Sequence, residues 1–251
     1  MILLGDIGNT EVKIFLFNNK FKINKKINLK TKLISLKYLK SKLSNLNRKN
    51  NKIEKVLFSS VVPNIYKTIQ VFLKKKYKIK DVNELKQINL NKLINTKVNK
   101  KQVGSDRIAN AIGILDNKLN YIIIDFGTAT TFDVVVKNNY LGGVIAPGVN
   151  LSLQNLVSKA SLIPQIHLSK VLKVIGTNTS NAVKSGFYWG YLGLIDNIIN
   201  LIKKQTRKSY KIILTGGLSH LFKNKIKYNA VIKKDLTIIG LIKVIRFINI
   251  K

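Results

Sequence analysis

The chain has 251 residues, of which 45% are hydrophobic, enough for one large domain or two compact ones with buried cores. It has no cysteine, which excludes disulfides and thiolate metal sites, and no uncharged apolar run long enough to span a bilayer. The net charge of +34 invites a nucleic-acid reading, but the lysines are spread through 20–55, 74–101 and 203–251 among Asn and Ile, without regularly interleaved aromatics for base stacking. Lys, Asn and Ile share AT-rich codons. The charge is therefore read as a biased, solvated surface, with no specific nucleic-acid partner and no membrane partner. The start of the chain lacks a basic leader segment, and a cytoplasmic location is expected.

In chain order, strands are predicted over 2–5, 12–17 and 22–29, forming a meander. Leu33, Leu36, Leu39, Leu43 and Leu46 recur at helical spacing over 33–46. A short apolar strand over 56–61 leads to Pro63, which opens a helix over 64–76 with Ile65, Ile69 and Phe72 on one face. Residues 80–103 are polar and lysine-rich, a loop with a short strand. The next helix begins at Gly104-Ser105-Asp106-Arg107, with Ile108, Ala111, Ile112 and Leu115 as its buried stripe. A second meander covers 121–136 and 140–145, followed by a helix at 150–160. A long helix spans 179–204, capped by Thr177 or Thr179. A strand at 211–214 ends in Thr215-Gly216-Gly217, and the tail over 236–248 reads as helical. The chain divides into halves, 1–117 and 118–251.

One pattern occurs in each half. Ile2-Leu3-Leu4-Gly5-Asp6-Ile7-Gly8-Asn9-Thr10 precedes an apolar stretch, and Tyr121-Ile122-Ile123-Ile124-Asp125-Phe126-Gly127-Thr128 precedes another. Each reads as strand, Asp-x-Gly-polar turn, strand. Glycine lets the backbone approach a ligand closely. The turn amides and the Asn or Thr side chains can donate to phosphate oxygens. An aspartate at the strand end can hold a metal ion or its waters. Two such copies suggest two similar half-molecules closing on one nucleotide. The alternative for either copy alone is a tight turn with a structural aspartate.

Together with Thr215-Gly216-Gly217 after a third strand, the set resembles the actin/hexokinase-like ATPase superfamily. The resemblance implies an α/β fold of two ribonuclease-H-like domains, each with a mixed five-stranded sheet and flanking helices. Within that superfamily the chain resembles type III pantothenate kinases from Asp6 to about Gly240. The motifs are Asp6 to Thr10 with Lys13, Gly104 to Arg107, Asp125 to Thr131, Gly143 to Gly148, and Gly176 to Thr179 with Ser185-Gly186. The resemblance implies ATP-dependent phosphorylation of the primary hydroxyl of pantothenate, giving 4'-phosphopantothenate on the way to coenzyme A. It implies a phosphate loop of Asp6, Ile7, Gly8, Asn9, Thr10, Glu11, Val12 and Lys13, with Asp6 organising Mg²⁺ and Thr128 contacting ATP phosphate. It makes Gly104, Ser105, Asp106, Arg107 and Thr179 the pantothenate contacts, with Asp106 as general base. Asp125 becomes the ligand of a monovalent cation, K⁺ or NH₄⁺. Thr179 is implied to act across a homodimer interface.

The helix macrodipole at the start of the helix should keep Asp106 ionised and a weak base. Arg107 can fork onto a carboxylate such as the one pantothenate carries. Upstream of Gly104, Lys97 and Lys100 stand where the resembled family has an aromatic residue and a proline. His167 and His220 read as surface or loop residues. Phe187, Tyr188, Trp189 and Tyr191 on the long helix read as core or interface packing rather than a cofactor box, and Phe187, Trp189, Tyr191 and Leu194 offer apolar bulk that a two-fold interface would bury. Two other classes remain open at this point: another small-molecule kinase of the superfamily, and a catalytically degenerate binding or regulatory relative. The segment before Gly104 is poor in the carboxylates a sugar site wants. The chain nevertheless places Asp6, Asp106 and Asp125 at the three chemical positions with only 11 acidic residues in all.

Overall fold

A computed structural model describes residues 1–46 and 52–249. Part of the lysine-rich stretch 20–55, and the last two residues of the second predicted half, lie outside them. The described chain forms two compact units, Met1–Leu115 with the C-terminal segment from Leu236, and Asp116–Asp235.

In the first unit, β1 (Ile2–Ile7), β2 (Glu11–Phe17) and β3 (Ile23–Lys30) form the predicted meander. β4 (Lys55–Ser60) pairs parallel to β1, and the two-residue β5 (Asn83–Glu84) pairs parallel to β4, giving the order β3-β2-β1-β4-β5. β1 is the central strand, which is why its sequence is an almost unbroken apolar run. β3 is the edge, and its exposed lysines discourage pairing with another chain. The leucine-rich stretch shortens to α1 (Leu36–Leu43), capped by Ser35, whose side chain accepts from the Tyr38 amide. α2 (Pro63–Tyr77) starts on Pro63, where a missing N–H costs nothing. β6 (Asn95–Thr96) lies in the lysine-rich loop, and α3 (Ser105–Ile114) follows.

The second unit repeats the arrangement. β7 (Asn120–Phe126), β8 (Ala129–Val136) and β9 (Asn139–Pro147) form a meander. α4 (Val149–Lys159) and α5 (Thr179–Thr206) precede β10 (Lys211–Gly216), which pairs parallel to β7. The four-residue α6 (Ser219–Phe222) and the short β11 (Ala230–Ile232) follow, neither foreseen from the sequence because both are too short to show periodicity. Within this unit the order is β9-β8-β7-β10-β11, the same as in the first unit. The α5 cap is Asn178, whose side chain accepts from the Asn181 amide at 2.9 Å, rather than either predicted threonine.

The C-terminal helix α7 (Leu236–Asn249) was counted with the second half from chain order, but it packs in the first unit. A Cβ at Gly240 would overlap the Ala109 carbonyl, and one at Gly113 would meet Leu236, so the two glycines let α3 and α7 approach backbone to backbone. Buried Thr237 donates to Asn110 Oδ1 at 3.0 Å, and Lys243 Nζ donates to the Leu115 carbonyl at 2.7 Å at the end of α3. These contacts are specific enough to override proximity in sequence.

Candidate active site

The repeated turns place their aspartates identically within each unit. Asp6 is the penultimate residue of β1, in register with Lys13 of β2 and with Ser59 of β4. Asp125 is the penultimate residue of β7, in register with Thr131 of β8 and with Thr215 of β10. Each carboxylate therefore stands at the carboxyl end of a central parallel strand, half-buried, beside a buried hydroxyl residue on the crossover strand. Open α/β sheets bind ligands at such strand ends.

The first turn is closed by the Gly8 amide donating to the Glu11 carbonyl at 3.0 Å. Thr31 braces it from outside, donating its hydroxyl to the Gly8 carbonyl at 2.7 Å and its amide to the Thr10 carbonyl at 3.1 Å. Asn9 and Thr10 at its tip are exposed, and Glu11 and Lys13 are half-buried. Ile7 and Val12 are different: both are fully buried in the first core, so they can serve a ligand only through their backbone. In the second turn the Gly127 amide donates to the Ala129 carbonyl at 3.1 Å, and Thr128 is exposed. Gly216 has φ +83°, and a Cβ there would collide with Asp125 Oδ1 and the Phe126 backbone, so the first glycine of the Thr215-Gly216-Gly217 motif is demanded by packing. Gly217 faces open space.

Among the described residues, the buried hydroxyl of Ser59, in register with Asp6, has no hydrogen-bond partner. Buried polar atoms are normally satisfied, so this hydroxyl is compatible with a bound group that completes the site beside Asp6. Among the described residues no three His, Asp or Glu side chains cluster as a metal cage.

Asp106 lies in the first turn of α3, whose N-cap is Gly104. The Arg107 amide donates to Asp106 Oδ1 at 2.8 Å. Its carboxyl nevertheless sits above the ordinary aspartate range, because burial penalises the charge more than Arg107, the local amides and Lys86 favour it. The macrodipole expectation of a weak base is thereby corrected: desolvation wins, and Asp106 is a stronger base than an exposed aspartate.

Ser105 is buried, and its hydroxyl donates to Glu84 Oε1. Its one O–H donor is therefore held by Glu84, and its lone pairs can still accept. Glu84 itself was missed. Its carboxylate also accepts from the Ser60 amide at 3.3 Å and the Lys86 amide at 2.7 Å, tying the end of β4 to the start of α3. The available signal was the capping-box pair Glu84 and Gln87, which the structure forms. Thr179, the first residue of α5, is exposed.

The aromatic residues of α5 do not all face outward. Tyr188 is fully buried, and Phe187, Trp189, Tyr191, Leu194 and Ile198 pack half-buried against the unit's own core. Gly186, Gly190 and Gly193 share one face of the same helix and are exposed, with nothing within 4 Å of a Cβ built at any of them.

The sequence profile of type III pantothenate kinases matches residues 2–201. A type III pantothenate kinase of Pelagibacter ubique is 60% identical over 97% of this chain and 98% of that protein. One from Finegoldia magna is 34% identical over 99% and 98%. The chain belongs to the type III pantothenate kinase family. It is accordingly a kinase, and the family implies ATP as phosphoryl donor. Among solved structures, a Baf-family protein from Campylobacter jejuni superposes with TM-score 0.63 at 20% identity, covering 99% of this chain and 100% of that one. A candidate sugar kinase from Cytophaga hutchinsonii superposes with TM-score 0.51 at 16% identity, covering 98% and 99%. The fold is that of the actin/hexokinase-like ATPases, as the motifs implied. Among the described residues no helix is long and apolar enough to cross a membrane.

Proposed function

We propose that the chain phosphorylates the primary hydroxyl of pantothenate to give 4'-phosphopantothenate, with Asp106 as general base. The observation that carries this reading is the partly desolvated Asp106 carboxylate, held by the Arg107 amide at the start of α3. A positioned carboxylate of raised pKa can accept the substrate hydroxyl proton as the P–O bond forms. The Arg107 guanidinium offers a forked partner for the substrate carboxylate.

ATP supplies the γ-phosphoryl group, and Mg²⁺ neutralises phosphate charge. In this reading Asp6 orients the Mg²⁺, and the Gly8–Glu11 turn, with Asn9, Thr10 and Lys13, holds phosphate oxygens. Thr128 adds a hydroxyl donor. Asp125 holds K⁺ or NH₄⁺, adding positive charge without requiring the tight octahedron of a divalent ion. Membership of the family supports these roles, together with the identical placement of the two aspartates.

A homodimer completes the proposal, with Thr179 reaching the partner's pantothenate site. Three exposed glycines on one face of α5 support it. Each costs helix stability relative to alanine, about 0.5–1 kcal/mol, and among the described residues nothing lies within 4 Å of a Cβ built there. A second helix lying on that face would use them. The cytoplasm is the compartment that fits a coenzyme A enzyme.

The test is a coupled ADP-release assay with pantothenate, glucose and glycerol, with and without potassium. Potassium-dependent turnover of pantothenate alone is expected. Turnover of glucose or glycerol in its place would overturn the assignment.

A further inference from the structure

A turn that binds an anion must offer donors and keep its acceptors away, because phosphate oxygens repel carbonyl oxygens. In the turn that follows Asp6, the carbonyls of Gly8, Thr10 and Glu11 are all engaged by the chain itself. The Glu11 carbonyl accepts from the Gly8 amide within the turn. The other two are held by one residue from outside it, Thr31, whose hydroxyl donates to the Gly8 carbonyl at 2.7 Å and whose amide donates to the Thr10 carbonyl at 3.1 Å. Thr31 is buried, and its own carbonyl accepts from the Ile34 amide at 3.1 Å. The single helical turn Thr31–Leu33 leads through Ile34 and Ser35 into α1, whose Leu39 and Leu43 are buried in the first core. The brace is therefore itself held rigid by packing, as a residue that positions another must be.

The second copy of the turn shows which part of this brace the fold dictates. Glu11 is in register with Lys30, the last residue of β3, and Ala129 is in register with Pro147, the last residue of β9. The next residue is Thr31 in the first unit and Gly148 in the second. A Cβ at Gly148 would collide with the Thr128 carbonyl. In both units the residue after the third strand thus lies against the turn, so the fold sets the position, while the hydroxyl belongs to the first copy. The first turn is the longer one. Asn9 and Thr10 lie between the bonded Gly8 and Glu11, whereas Thr128 alone lies between Gly127 and Ala129. The longer turn has a further peptide group to orient, and the Thr31 hydroxyl fixes the Gly8 carbonyl at its start.

We propose that Thr31 is a positioning residue for the phosphoryl donor. Its hydroxyl and amide hold the Gly8 and Thr10 carbonyls away from the phosphate oxygens, so that the turn presents donors to them. Thr31 acts through the turn and not on the ligand. The proposal rests on the reading of the Gly8–Glu11 turn as a phosphate loop, and it adds a residue outside that loop on which the loop's polarity depends.

The experiment compares Thr31→Val, which keeps the shape and the amide but loses the hydroxyl, with Thr31→Ser, which keeps the hydroxyl. Asn9→Ala and Lys13→Ala test the loop itself. Steady-state kinetics in the full chain give KM for ATP and for pantothenate, beside a thermal melt. Thr31→Val should raise KM for ATP about three- to tenfold, the effect of one lost hydrogen bond, and change KM for pantothenate and kcat at saturating ATP by less than about twofold. Thr31→Ser should restore KM for ATP. A lower melting temperature with KM for ATP unchanged, or equal rises in both KM values, would make Thr31 merely structural and overturn the proposal. If Thr31→Val does not fold, hydrogen exchange in the unsubstituted chain carries the test. ATP should slow exchange of the Thr31 amide, and a rate that ATP leaves unchanged would overturn the coupling. If neither Asn9→Ala nor Lys13→Ala raises KM for ATP, the phosphate-loop reading fails and the proposal with it. If they do and Thr31→Val does not, the loop stands and the brace alone is lost.

Discussion

A side chain at Gly104 would occupy the space held by the carboxylate of Asp106. The two residues bracket the start of α3, where the N-cap glycine at φ −58° makes room for an acidic group folded back over its own helix terminus. This glycine is needed for space rather than for an unusual backbone angle, since any residue adopts that φ.

Gly104→Ala should therefore fold and bind ATP normally but push the Asp106 carboxylate aside. A displacement of this kind costs about 10²-fold in rate. Steady-state kinetics with pantothenate, beside a thermal melt, check it. A variant with unchanged kcat would mean that Asp106 does not have to occupy this position.

Asp106→Asn should cut turnover by about 10²–10⁴-fold, the range for a positioned acid–base group. Its effect on stability has the opposite sign. The folded pKa is raised, so the charged group destabilises the fold progressively as pH rises above the unfolded value and through the folded one. At pH 7 the Asn variant should melt no lower than the parent, and below about pH 4, near the unfolded aspartate value, any advantage should vanish. The acidic limb of the parent's kcat/KM profile should lie above that of an ordinary aspartate. An inactive variant that is also strongly destabilised would make Asp106 a structural group.

Asp116 behaves in the contrary way. Its carboxylate accepts from the Tyr121 hydroxyl and from the Leu119 and Lys118 amides at 3.0 Å, which holds its pKa down at about 2. A depressed pKa stabilises the fold above the unfolded value and loses that contribution as pH falls towards 2. Because the group is exposed, Asp116→Ala should cost less than about 1 kcal/mol at pH 7. Acid-denaturation curves should show the parent and variant converging near pH 2. A gap that persists there would mean that packing, not the charge, carries the effect.

Potassium or ammonium should activate the chain and sodium should do so poorly, with Asp125→Ala abolishing the difference. Activity measured across chloride salts at constant ionic strength decides it. Equal rates in sodium and potassium would remove the monovalent ion from Asp125.

Gly190→Leu tests assembly. A Cβ at this position has open space among the described residues, and the substitution should raise helix stability by about 0.5–1 kcal/mol. Against a second helix it would prop the interface apart. Light scattering should show a dimer for the parent and a monomer for the variant, with the parent's association strengthened by salt, since chains of +34 repel. A parent that is monomeric at every salt concentration yet fully active would remove the role of Thr179 across an interface.

The repeated Asp-x-Gly turn, the strands flanking it and the acid at position 106 were legible in the sequence, because strand alternation, turn glycines and carboxylates are local signals. The three-strand meander of each unit follows from the same repeat, whereas the parallel addition of β4 to β1 and of β10 to β7 is set by the tertiary structure. Other features depend on groups distant in sequence. α7 belongs with α3 because Gly240 and Gly113 let two backbones meet, and neither glycine announces its partner. The half-buried aromatics of α5 turn inward because a core formed by β7, β10 and Phe222 is there to receive them. Glu84 joins Ser60 to Ser105 only after the loop folds back. Above all, the strength of Asp106 as a base could not be read from its position at a helix start. The local dipole favours its charge and the surrounding protein removes its water, and only the folded chain decides that the loss of water is the larger effect.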